Sequence, residues 1–113
     1  MMNGWHEAAY FLGGAFLSNA IPHYVSGLMG RAFPSPFAKP PGVGLSPPLV
    51  NVLWGFANLV LAYLLLARVG RFDISAPGHA LAAGLGMLLM AVFAARTFGR
   101  LHGGRADRPA ASL

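Results

Sequence analysis

Apolar residues gather into three long stretches. No charged side chain occurs in residues 8 to 30, 40 to 67 or 74 to 95, which are runs of 23, 28 and 22 residues. A hydrocarbon core of about 30 Å needs about 20 helical residues at about 1.5 Å each, so every run is long enough to cross a bilayer. The pattern predicts transmembrane helices at 8–30, 49–69 and 77–95. A connector over 31–48 and a short loop over 70–76 join them, an N-terminal segment 1–7 precedes them, and a basic, flexible tail 96–113 follows. The predicted fold class is an all-α integral membrane protein.

Residues within each stretch refine the elements. In the first run Ser18, Asn19, Pro22 and His23 interrupt the apolar pattern near its middle. Pro22 has no N–H for the carbonyl of Ser18, so the first helix is expected to kink or open there, with the break facing protein. The connector reads RAFPSPFAKPPGVGLSPP and holds six of the nine prolines. It has no helical periodicity, which predicts an extended, turn-rich segment lying at the interface or folding back on the helices. No two of its prolines are three apart, so the PxxP ligand pattern is absent. Ser46 before Pro47 and Pro48, and Ser75 and Ala76 before Pro77, read as helix starts with a capping hydroxyl.

Composition agrees with a membrane chain: 56% of residues are hydrophobic and 10% are charged, against about 25% charged in ordinary soluble domains. There is no Cys, which excludes disulfides, thiolate metal sites and cysteine nucleophiles. The net charge of +5 does not point to nucleic acid, because the basic residues sit between and after the apolar runs rather than on one wet face. They bear on topology instead. With three spans, Arg31, Lys39, Arg96, Arg100, Arg105 and Arg108 share one side, and Arg68 and Arg71 occupy the other. The excess predicts an outside N-terminus and a cytoplasmic C-terminus. The N-terminus carries no positive n-region, so the first run reads as a retained span. Arg outnumbers Lys seven to one, which suggests a bacterial source and hence the inner membrane.

Candidate chemistry is sparse. Asn19, His23 and Ser26 form one stripe of the first helix, and Asn51, Gly55 and Asn58 form another on the second, with Trp54 beside it. These stripes can meet in two ways: as a polar intramembrane site that binds a small ligand or passes a proton, or as interhelical hydrogen bonds that hold the spans together. No acidic residue lies in any span, which favours the second. Gly78, Ala82 and Gly86 recur every four residues and predict a helix-packing face turned to another span or another subunit. His6 and His79, with Glu7, fall on the same side and are the one pairing to weigh for haem or metal, yet two lone histidines rarely make a site. No metal or cofactor is expected.

Motifs for hydrolases, metalloproteases and nucleotide binding are missing, and Glu7, Asp73 and Asp107 lie in separate segments. The expected function is a small, non-enzymatic membrane protein. It is an accessory or assembly subunit of a membrane complex, or a homo-oligomer, with lipid and other membrane subunits or itself as partners. The alternative is a small oligomeric transporter or channel with a polar pathway past His23 and the intramembrane Asn residues.

Overall fold

The computed structural model describes residues 4–102; the beginning of the N-terminal segment and the tail from 103, with Arg105, Asp107 and Arg108, lie outside the described residues. The chain forms three long helices: α1 (Gly4–Leu28), α2 (Pro48–Tyr63), which continues into a π-helical segment (Leu64–Val69), and α3 (Pro77–His102). Two of them, Pro48–Val69 and Pro77–Leu101, are long and apolar enough to cross a membrane. α1 is as long but is diluted by the polar residues at its centre.

α1 lies in the middle. It packs against both α2 and α3, which barely touch each other. Small residues allow the close approach: a Cβ on Gly14 would strike the backbone of Ala83 in α3, and one on Gly86 would strike the backbone of Phe11 in α1. Across the other interface, a Cβ on Gly55 would come within 2.6 Å of the backbone nitrogen of Tyr24. Such contacts gain dispersion energy that larger residues would forfeit, and they are how apolar helices associate without a hydrophobic driving force. The small-residue face of α3 is therefore divided. Gly86 is buried on α1, Ala82 is half-buried, and Gly78 is exposed.

Several local expectations change. α1 runs unbroken through Pro22, so the helix does not open there. It ends in a Schellman arrangement. Gly30 has φ +73°, its N–H donates to the Gly27 carbonyl at 3.0 Å, and the Arg31 N–H reaches the Ser26 carbonyl at 2.9 Å. The connector folds into a two-residue antiparallel ribbon, β1 (Phe33–Pro34) with β2 (Leu45–Ser46), pairing Phe33 with Ser46 and Pro34 with Leu45. Its Lys39–Pro40 peptide is cis. Ser46 does not cap α2: Pro47 holds that position, and the Ser46 hydroxyl bonds the Ser35 hydroxyl at 2.6 Å instead. Ser75 likewise directs its hydroxyl and its N–H to the Asp73 carboxylate, at 2.6 and 3.0 Å.

The end of α2 loosens into π geometry, closed by the Gly70 N–H on the Leu65 carbonyl at 2.9 Å, and Arg71 then turns the chain with φ 52°. α3 continues seven residues beyond the expected boundary at 95, carrying Arg96 and Arg100 as helical residues. Cations near a helix C-terminus interact favourably with its dipole, so the charges that suggested a boundary instead suit the last turns.

Enlarging either partner of the α1–α3 contact must push backbones apart. Gly14→Leu and Gly86→Leu are each expected to destabilise the folded protein by about 3 kcal/mol. Gly84→Leu, which meets nothing within 4 Å, should be neutral. Equal midpoints for all three in a denaturing-detergent titration would refute this packing.

Candidate functional site

The polar centre is built around Asn51, in the first turn of α2 and fully buried. Its Nδ2 faces three backbone carbonyls, those of Phe33 at 2.9 Å, Ser46 at 3.2 Å and Pro47 at 3.3 Å. That orientation turns Oδ1 toward α1, where it lies 2.8 Å from His23 Nδ1. An amide oxygen only accepts, so His23 Nδ1 carries the proton and donates, which leaves a lone pair on Nε2 of the neutral ring. One side chain thus ties α2 to α1 and to both strands of the connector ribbon.

One turn deeper, Asn19 Nδ2 donates to Asn58 Oδ1 at 3.1 Å, and Asn58 Nδ2 donates to the Trp54 carbonyl at 2.8 Å. The four residues on which the polar stripes converge are therefore brought together as two bonded pairs, Asn19 with Asn58 and His23 with Asn51. Ser26 does not join them; it is half-buried beyond His23.

Aromatic edges enclose the His23 ring. Phe33, Phe98 and Trp54 stand nearly perpendicular to it, with centroids 5.4, 6.0 and 6.3 Å away. Phe33 also meets Phe98 at 4.7 Å, which links the connector to α3. Beside this cluster lies a cavity of about 270 Å³, bounded by α1, α2, α3 and the connector; its lining includes Asn19, His23, Trp54, Phe93, Thr97 and Phe98. Among the described residues no Asp, Glu, Lys or Arg lines it. The Trp54 Nε1–H is buried without a hydrogen-bond partner among the described residues.

A second polar cluster closes the opposite end. The Asp73 N–H donates to His79 Nδ1 at 3.0 Å, so the proton of the neutral imidazole sits on Nε2, 3.3 Å from the Tyr10 hydroxyl. Tyr10 in turn donates to the Gly70 carbonyl. The Tyr10 and His79 rings lie 4.3 Å apart, with Phe72 on the edge of Tyr10. His79 therefore has both nitrogens engaged within the fold, and the described residues hold no group of three or more His, Asp or Glu able to share a metal ion. Asp73 is exposed, and the Ser75 hydroxyl and the Ser75 N–H hold its carboxyl below the ordinary value of 3.8.

Spacing along α1 and α2 points to Asn19, His23, Asn51 and Asn58. It does not point to Ser35, Ser46 or Phe98, which reach the site through the ribbon and α3, or to Tyr10, which looks like one more apolar position in its run. No protein-family model, curated protein or solved structure matches the chain.

Two measurements test these clusters. Asn51→Ala removes the side-chain bonds to the Phe33 and Ser46 carbonyls and to His23, and is expected to cost about 3 kcal/mol. Asn58→Ala, which removes one interhelical bond, should cost about 1 kcal/mol. Reversed ranking in an unfolding titration would displace Asn51 from the centre.

At the other end, the depressed Asp73 value means that its bonds to Ser75 stabilise the turn above pH 3.8 and are lost as pH falls through the lower folded value. The Ser75 amide resonance should titrate with a midpoint below 3.8, and Ser75→Ala should raise the Asp73 midpoint. A wild-type midpoint at or above 3.8 contradicts the arrangement.

Proposed function

We propose that the chain is a non-enzymatic integral membrane protein with three spans, α1 among them, acting as an accessory or assembly subunit of a membrane complex or as a homo-oligomer. The observation that carries this reading is the contrast between the interior and the outer face of α3. The polar side chains of α1 and α2 bond one another, whereas only 11% of the most apolar stretch of α3 is buried within the chain. Leu81, Leu88 and Val92 are 66%, 59% and 47% exposed along one side of α3. Gly84 lies between them with open space above it, forming a notch into which another helix can pack.

The placement of α1 across the bilayer is supported by its position between α2 and α3 and by its polar stripe, which turns toward α2 and away from lipid. The Lys and Arg distribution supports an outside N-terminus and a cytoplasmic connector, in a bacterial inner membrane. The transporter reading requires Asn19, His23, Asn51 and Asn58 to meet a passing solute. Their mutual pairing weighs against it.

The absence of cysteine makes topology directly testable. In intact cells a membrane-impermeant maleimide should label Ile74→Cys, whereas Lys39→Cys should react only after permeabilisation; the opposite pattern inverts the topology. Purification in mild detergent should yield either a foreign protein at near-equal stoichiometry or a defined homo-oligomer, and Gly84→Leu should release that partner without unfolding the chain. A monomer with no companion would end the subunit reading.

A further inference from the structure

The cavity beside His23 has a use beyond assembly. We infer that it is a binding site for a small, neutral, single-ring molecule bearing a hydrogen-bond donor, of which a phenol is the simplest representative.

The inference starts from the tautomer. Asn51 Nδ2 is fixed by three carbonyls, so its oxygen faces His23 Nδ1 and that nitrogen must donate. His23 is 3% exposed and lines the cavity, and its Nε2 has no hydrogen-bond partner among the described residues. With Nδ1 engaged by Asn51, Nε2 is the ring nitrogen left to meet a molecule in that cavity. A buried acceptor held in one orientation by a network, at the wall of a cavity, is a recognition element for a donor.

The remaining walls define the rest of the ligand. Phe93 and Phe98 from α3, together with connector prolines, supply apolar surface and suit an aromatic ring. Among the described residues no charged side chain lines the space, so these walls would desolvate an anion or a cation without compensation. A volume of about 270 Å³ holds one ring with short substituents and lies just below the usual range of drug-sized sites, about 300–1,000 Å³. A carbonyl compound without a hydroxyl or N–H cannot satisfy Nε2, which discriminates against molecules that only accept.

Three fluorinated probes separate this site from simple partitioning into detergent or lipid. 4-Fluorophenol can donate, 4-fluoroanisole can only accept, and fluorobenzene does neither well. With the full chain in micelles, fluorine resonance is expected to show saturable binding of 4-fluorophenol, about tenfold tighter than either analogue, the factor one hydrogen bond supplies. In protein carrying labelled histidine, the His23 Nε2 resonance should shift with the same saturation curve. Thr97→Leu, which narrows the cavity without touching the Asn51 network, should weaken binding at least severalfold. Equal, non-saturating uptake of all three probes, or an Nε2 resonance that does not move, would overturn the inference and leave the cavity a space for water.

Discussion

The carboxamide of Asn51 is the constraint on which the rest of the molecule rests. Away from water, every backbone carbonyl without a partner raises the free energy of the fold, and the connector ribbon brings several of them to the first turn of α2. The Asn51 nitrogen bonds those of Phe33 and Ser46 and lies near that of Pro47, which also accepts the Asn51 backbone N–H, and its oxygen holds α1 through His23. Because the ribbon, the helix start and the neighbouring helix all converge on this one residue, displacing any of them disturbs the others. The buried amide is engaged at both its nitrogen and its oxygen.

α1 lacks a stretch as apolar as those of α2 and α3 and is also the most central helix, and the two facts have one cause. Its polar stripe is bonded to α2, and Gly14 opposite Ala83 lets α3 close on another side, so little of its polar character is left to face outward. The outer faces of the two flanking helices present leucine, valine and phenylalanine. The distribution suits a molecule whose surroundings are apolar and whose hydrogen bonding is completed internally.

The three helices were legible in the sequence because the spacing of charges bounds them, and the meeting of Asn19, His23, Asn51 and Asn58 was legible because helical spacing places them on facing stripes. The rest depends on contacts distant along the chain. Ser46 has the local credentials of a cap, yet Ser35, eleven residues earlier, takes its hydroxyl once the ribbon forms. Arg96 looks like the end of a span, but a cation is compatible with the last turns of a helix, and α3 continues to His102. Nothing local announces the π segment at Leu64–Val69. The cavity needed Phe93 and Phe98 from α3 to meet prolines from the connector, a juxtaposition that no single stretch of sequence encodes.

The position of the polar bonds along the chain bears on how the molecule is made. Asn19, His23, Asn51 and Asn58, with the carbonyls they serve, all lie between residues 19 and 58, whereas α3 begins at Pro77. A chain emerging from the ribosome therefore contains both members of each of these bonds before the last helix has been synthesised. The first two helices can form a hairpin in which these hydrogen bonds are already made. α3, whose contact with α1 at Gly14 and Gly86 is one of shape rather than hydrogen bonding, can be added afterwards without breaking any of them.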